Sequence, residues 1–177
     1  SGGGTPDGSV TFTGKAGDNS NTANYSISVD CGDGGEMVVA AYTQGGSNPQ
    51  ISTFTLDGQA ITVKKTQTDS SEVTLVIGTC SGVSSGTNTC VANWTATGYR
   101  CMVFVWKVED VSLGAMRQVN GDAQYSLNMN TYTSGSVVIA ATGTQSTTAF
   151  TGASGVTYDG NQTQESNMAA GSDAVAD

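Results

Sequence analysis

Residues 51–63 read ISTFTLDGQAITV, and this stretch indicates the fold class of the chain. Asp57 and Gly58 stand between two runs of apolar and β-branched residues, 54–56 and 60–63. An Asp-Gly pair in that position is a strong signal for a β-hairpin, because both residues tolerate the positive φ angles of a type I′ turn. We therefore predict two antiparallel strands joined by a two-residue turn.

The whole chain has the composition of an all-β protein. It contains 25 Thr and 20 Ser among 177 residues, and clusters rich in Gly and Asn separate its short apolar runs. Thr, Val and Ile favour pleated strands, and such spacing is typical of a β-sandwich. The pattern predicts strands at 10–13, 25–29, 37–42, 51–56, 60–64, 72–77, 91–96, 100–108, 123–129 and 136–142, with short ones near 147–150 and 156–158. We expect an antiparallel β-sandwich of jelly-roll type.

Three runs are apolar at successive positions rather than at alternate ones: residues 37–41, 101–106 and 137–141. A strand with apolar residues on both sides is expected to be buried on both faces of its sheet. We predict that all three runs form central strands.

The composition of the chain excludes several functions, because certain residue types are absent or rare. The chain has no His, which removes Ser-His-Asp and Cys-His catalysis and His-ligated zinc. Its net charge of −9 disfavours nucleic acid, which is bound through clustered Lys and Arg. No apolar run approaches the roughly 18 residues of a membrane-spanning helix. We predict a non-enzymatic protein with no cofactor and no nucleic-acid or membrane partner.

The four cysteines suggest covalent bridges. Cys80 and Cys90 flank a loop rich in Ser and Gly, and a disulfide between them would contribute roughly 2–3 kcal/mol by closing it. We predict that bridge. Cys31 and Cys101 either pair across the sandwich or remain buried thiols.

The acidic residues offer two weaker candidates. Glu36 with Glu109 or Asp110 is a candidate pair for glycoside hydrolysis, which needs two facing carboxyl groups. The loops 30–36 and 159–165 carry oxygen-bearing side chains on Gly-rich backbone, as calcium sites do. Solvated carboxylates and ordinary turn chemistry explain these features better, so we predict no metal site.

Three aromatic residues form a candidate glycan platform: Trp94, Tyr99 and Tyr132. Aromatic rings exposed on a sandwich face can stack on sugar rings, although core packing is the more common role of such residues. Trp94 is the least safely buried of the aromatic residues, because Asn93, Thr95 and Thr97 make one side of its strand polar.

The two ends differ from the middle of the chain. Residues 1–8 are a Gly-rich arm, residues 9–160 form the sandwich domain, and residues 161–177 form a polar arm. Segments with so little to bury contribute nothing to a core, so we expect them to contact neighbouring subunits. The predicted partner-binding residues are Ser1, Gly2, Gly3, Gly4, Asn167, Met168 and Asp177.

The order of the segments 37–41, 51–62, 100–106 and 135–141 resembles β-sandwich domains in virion proteins of tailed bacteriophages. The resemblance covers residues 25–145, and its motifs are structural, so it transfers no catalytic residues. It implies a virion component: a capsid decoration or cement protein, or a tail or fibre domain. In such proteins terminal arms commonly bind the capsid shell or the arms of neighbouring copies.

We therefore expect a virion structural protein that assembles through its sandwich edges and terminal arms, with copies of itself or other virion proteins as partners. The alternatives are a secreted carbohydrate-binding module that binds a host surface glycan, and an adhesin-like surface domain whose uncovered edge strand accepts a donor strand.

Overall fold

The computed structural model describes residues 8–45, 48–69, 73–111, 138–143 and 171–176. Every regular element in these ranges is a β-strand. The strands are β1 (Ser9–Asp18), β2 (Thr22–Asp30), β3 (Gly35–Gln44), β4 (Ile51–Leu56), β5 (Gln59–Ala60), β6 (Thr62–Asp69), β7 (Val73–Val83), β8 (Thr87–Gly98), β9 (Arg100–Glu109), β10 (Val138–Gly143) and β11 (Gly171–Ala176).

Strands β1 to β9 form two antiparallel sheets that pack against each other. The five-stranded sheet has the order β1-β9-β3-β7-β6, and the four-stranded sheet has the order β2-β8-β4-β5. The prediction of an all-β antiparallel sandwich is confirmed. The predicted strand at 123–129 and the short ones at 147–150 and 156–158 lie outside the described residues.

The predicted hairpin is present at the predicted turn. Leu56 pairs with Gln59, and the two residues between them have positive φ, 52° at Asp57 and 73° at Gly58. These angles are those of a type I′ turn, whose twist matches that of the flanking strands. The carboxylate of Asp57 also accepts a hydrogen bond from the Ser84 N–H at 2.8 Å, which ties the turn to the loop between β7 and β8.

The chain passes from one sheet to the other at Ile61, between β5 and β6. Ile61 is buried in the core, and its N–H donates to the Phe54 carbonyl at 2.9 Å. Gly78 on β7 permits the crossing, because a Cβ there would lie 2.6 Å from Cγ2 of Ile61. A side chain at position 78 would therefore push the crossing segment away from the sheet.

The main core lies between the two sheets. Strands β2, β3, β4, β8 and β9 contribute alternate residues to it, as expected for a face-to-face packing, and β7 adds Val76, Cys80 and Val83. The buried residues of this inner cluster are Tyr25, Ile27, Val29, Cys31, Met37, Val39, Ala41, Phe54, Leu56, Ile61, Val76, Cys80, Val83, Cys90, Ala92, Trp94, Cys101, Val103 and Val105.

The five-stranded sheet also buries its outward face. A second cluster there contains Val38, Ala40 and Tyr42 from β3, Met102, Phe104, Trp106 and Val108 from β9, and Val73 from β7. Both β3 and β9 have neighbours on each side within the sheet. The prediction that the runs 37–41 and 101–106 form central strands is confirmed.

The same prediction was wrong for the third apolar run. Among the described strands, β10 pairs only with β11, in a two-stranded sheet separate from both sheets of the sandwich. The one side chain of β10 that the structure describes, Ile139, packs against the outward cluster of the five-stranded sheet. A continuous apolar run therefore does not by itself identify a central strand of the sandwich, because an apolar strand can also belong to another layer that packs against it.

Gly58→Ala tests the hairpin turn. A Cβ at Gly58 would meet no atom within 4 Å, so the substitution changes only the backbone preference at a φ of 73°. We expect the free energy of unfolding to fall by about 1 kcal/mol in a urea titration. Gly58→Asn is the control and should lose less, because Asn tolerates this region. Equal stability of the Ala variant and the unchanged protein would contradict the turn.

Candidate functional site

The predicted aromatic platform does not assemble among the described residues. Trp94 is 3% exposed and belongs to the inner cluster, where no sugar reaches its ring. Tyr99, at the corner between β8 and β9, is 50% exposed. Tyr132 lies outside the described residues. Trp94 was therefore wrongly chosen: its polar neighbours mark the outward side of β8, while the indole faces inward.

Replacing each aromatic residue separates the two environments. Trp94→Ala should lower the free energy of unfolding by about 3–5 kcal/mol, because it leaves a cavity in the core. Tyr99→Ala should change it by no more than about 0.5 kcal/mol, as is usual for surface positions. Chemical denaturation followed by circular dichroism measures both. Similar losses in the two variants would contradict the assigned burial.

The predicted disulfide is not supported, because Cys31, Cys80, Cys90 and Cys101 are all free and buried. Cys80 lies on β7 in the five-stranded sheet and Cys90 on β8 in the four-stranded sheet. Residues 81–83 and 87–89 belong to strands rather than to a flexible loop. The short connection between them takes the chain from one sheet to the other, so the two cysteines lie in different sheets. Burial raises the pKa of Cys80 to about 11 and that of Cys101 to about 12. Burial also raises the pKa of Cys31 and Cys90, so all four groups are protonated thiols near neutral pH.

A thiol count tests this correction. Without any reductant, the guanidinium-unfolded protein should react with DTNB at four thiols per chain. The folded protein should react far more slowly, because each sulfur is exposed only when the sandwich opens. Two reactive thiols after unfolding would instead show that a disulfide had formed.

Of the two candidate acid pairs, Glu36 with Glu109 does not form a facing pair. Glu36 is paired with Val108 across β3 and β9, so its side chain leaves the sheet on the side of Val108. Glu109 is one residue further along, and strand alternation directs it to the other side. Its carboxylate accepts from Lys107 Nζ at 2.8 Å and from the Ser9 hydroxyl at 3.1 Å. These bonds hold the pKa of Glu109 below its ordinary value, whereas a general acid needs a raised one.

The acidic loop after β2 is explained by turn contacts. The carboxylate of Asp30 accepts the Gly32 N–H at 2.8 Å, and Asp33 lies 3.9 Å from Lys107 Nζ. Across the described ranges, no group of three or more Cys, Asp or Glu residues is arranged to hold a metal ion. The second candidate loop, 159–165, lies outside them.

The predicted partner-binding residues also lie outside the described residues: Ser1, Gly2, Gly3, Gly4, Asn167, Met168 and Asp177. Within the predicted C-terminal arm, the structure describes β11, which pairs along its whole length with β10 from Val138↔Ala176 to Gly143↔Gly171.

The edges of both sheets are irregular. β1 and β6, the edge strands of the five-stranded sheet, have register shifts at Phe12/Gly14 and at Val63/Lys65. These strands also carry Lys15, Lys64 and Lys65. In the four-stranded sheet, β2 has a shift at Thr22/Asn24, and β5 has two residues. Bulges, lysines and short strands are the usual protection against strand addition. For the five-stranded sheet, this disfavours the adhesin-like alternative, which needs a long uncovered edge.

The outward face of the four-stranded sheet is polar, in contrast to that of the five-stranded sheet. We call this surface the polar face. Its side chains alternate along each strand with the buried ones of the inner cluster. The polar face consists of Asn24, Ser26, Ser28 and Asp30 from β2, Thr53 and Thr55 from β4, and Thr87, Thr89, Val91 and Asn93 from β8.

These side chains stand in rows across the strands. Asn24, Asn93 and Thr53 form one row, and Ser26, Val91 and Thr55 form the next. Ser28 pairs with Thr89, and Asp30 pairs with Thr87 at the end of the sheet. This surface was not predicted, although the sequence of β2 carries a signal for it. The residues that alternate with Tyr25, Ile27 and Val29 are all small and, apart from Asp30, uncharged.

Comparison with known proteins adds no family assignment. No protein-family model matches the chain, and neither the curated proteins nor the solved structures contain a significant match. In the part of the chain that the structure describes, no helix is long and apolar enough to cross a membrane.

Proposed function

We propose that this protein is a non-enzymatic structural component of a tailed-phage virion, a capsid decoration protein or a component of the tail surface. The observation that carries the proposal is the connectivity of the sandwich. If β5 and β6 are counted as one strand that crosses between sheets, β1 to β9 are eight successive strands. With β6 set aside, the orders β1-β9-β3-β7 and β2-β8-β4-β5 agree with jelly-roll connectivity, and this agreement supports the proposal.

A jelly roll supports the proposal by analogy, because viral capsid domains are one of the main groups that use it. Lectins and cupins use it too, so the connectivity alone does not select a function. Cupin chemistry is disfavoured because it relies on metal-binding histidines, and the chain has none. The free thiols agree with assembly inside a cell, since cytosolic proteins keep their cysteines reduced.

The proposal assigns contacts with neighbouring virion proteins to the terminal arms, residues 1–8 and 161–177. The sheet edges are less suitable for this role than we expected from the sequence. The register shifts and lysines of β1 and β6 oppose the addition of a further strand. Neighbours would then be held mainly through arm segments rather than through continuous sheets.

Labelling of particles tests the proposed function. An antibody raised against the recombinant full chain should label intact, purified virions of the phage that encodes it, as seen by immunogold electron microscopy. The matched control is the same preparation labelled after preabsorption of the antibody with the recombinant protein. Purified virions that lack the protein in both labelling and mass spectrometry would overturn the proposal.

Deletion of residues 1–8 tests the role of the N-terminal arm. We expect an unchanged thermal midpoint for the isolated protein, because the sandwich begins at Ser9. We expect fewer copies per particle, counted by quantitative mass spectrometry of purified virions. Normal incorporation of the deleted protein would show that the arm makes no essential contact.

A further inference from the structure

The outward face of the five-stranded sheet is wide, apolar and fully covered. Tyr42, Phe104 and Trp106 are each 0% exposed there. The cluster extends from β1 to β7, about 14 Å across the strands, and along β9 from Met102 to Val108, about 20 Å. A cover of similar size must lie over it, because each large aromatic side chain has about 150–250 Å² to bury.

The described residues supply only a small part of this cover. Among them, Val111 and Ile139 are the members of the cluster that lie outside the five strands. Two aliphatic side chains are too small to cover three aromatic rings. The exposures refer to a single copy of the chain, so the rest of the cover belongs to the chain itself.

We propose that residues 123–129 dock on this face as a strand, with Tyr125, Leu127 and Met129 directed at the aromatic cluster. These residues lie outside the described ranges, and the sequence predicts a strand for them. The stretch reads AQYSLNM, with apolar residues at alternate positions and no charged residue. Such alternation is typical of a strand that is buried on one side.

β2 shows what the same pattern does in this fold. Residues 24–29 read NYSISV, and Tyr25, Ile27 and Val29 are buried while the residues between them are exposed. Residues 124–129 read QYSLNM, so they alternate in the same way and share the Tyr-Ser pair. A segment of this type needs an apolar surface for one side only. The outward face is such a surface, and a seven-residue strand of about 20 Å matches its length.

The ends of the connection between β9 and β10 bring this segment to the face. Val111 comes directly before residues 112–137 and Ile139 lies just after them, and both side chains pack against the outward cluster. Fully extended, residues 112–137 would span up to about 90 Å, whereas the face is about 20 Å long. The connection is therefore long enough to cross the face and return to β10.

The proposed contact closes the outward face to other molecules. A neighbouring protein would then meet the chain elsewhere, and the region between β9 and β10 would be held to the sandwich by apolar contacts. The inference does not depend on the proposed virion role. A protein that proved absent from virions would still be expected to make this contact.

Photo-crosslinking in the full-length protein tests the contact. The photoreactive residue p-benzoylphenylalanine replaces Leu127 in one variant and Asn128 in the matched control. Trypsin then releases residues 101–107, which carry Phe104 and Trp106, as one diagnostic peptide. We expect position 127 to crosslink to this peptide and to other parts of the outward cluster. Position 128 should give no such crosslink, because strand alternation directs it away from the face.

Isotope labelling decides whether the contact forms within one chain. Equal amounts of isotope-labelled and unlabelled variant are mixed before irradiation. Crosslinked peptides of uniform label support the proposal. Crosslinks that join a labelled to an unlabelled peptide would show that a second copy supplies the cover and would overturn it. Equal crosslinking from positions 127 and 128, or crosslinks from 127 that miss the outward cluster, would overturn it too.

Tryptophan fluorescence measures the cover independently, because the two Trp residues of the chain lie in different clusters. Trp94→Phe leaves Trp106 as the reporter of the outward face. Trp106→Phe leaves Trp94 as the reporter of the inner core. Leu127→Ser combined with Met129→Ser should raise acrylamide quenching of Trp106 about threefold and leave that of Trp94 unchanged, because only the outward face opens.

Gln124→Ser combined with Asn128→Ser is the control for these measurements. It changes the other side of the segment and should leave the quenching of both Trp residues unchanged. Unchanged quenching of Trp106 in the variant of Leu127 and Met129 would contradict the proposal. An equal rise at Trp94 and Trp106 would also contradict it, because the segment would then belong to the main core rather than to the outward face.

Discussion

The apolar character of β3 and β9 on both faces is the constraint on which the rest of the described structure depends. Val39 and Val103 point into the gap between the sheets, while Val38 and Trp106 point the other way, and all four are buried. Burial stabilises by about 25 cal/mol for each Å² of apolar surface, so neither face can be left in water. The five-stranded sheet therefore needs a layer on each side. The four-stranded sheet provides one layer, and Ile139 of β10 belongs to the other.

The four-stranded sheet carries no such requirement. Its strands are buried on one side only, as the alternation of Tyr25, Ile27 and Val29 with small polar residues shows. Its outward surface is therefore free to vary without loss of core packing, and it is here that the chain presents uncharged hydroxyl and amide groups. Irregular edges limit association by strand pairing. Among the described residues, the outward surface of the four-stranded sheet is therefore the wide sheet face that remains open to solvent.

Local signals in the sequence predicted well where the physical cause is local. The Asp57 and Gly58 turn depends on φ preferences of two adjacent residues, and the central position of β3 and β9 depends on runs that no exposed strand tolerates. Prediction failed where one sequence pattern fits two structures that differ only in which strand or layer lies beside the residues. β10 shares the apolar pattern of a central strand but borders a different layer. Cys80 and Cys90 are close in sequence, yet the chain changes sheets between them.

The candidate surface shows the same division. The sequence shows that Trp94 has polar neighbours. Which side of β8 faces the core, however, is decided by the pairing of β8 with β2 and β4. Sequence alone determined the all-β class, the hairpin, the paired apolar strands and the absence of histidine chemistry, because each follows from residue type and short-range order. The tertiary structure decided which strands share a sheet, that the thiols remain apart, and which row of hydroxyl groups is open to solvent. Those properties depend on contacts between residues distant in the chain, which no local pattern specifies.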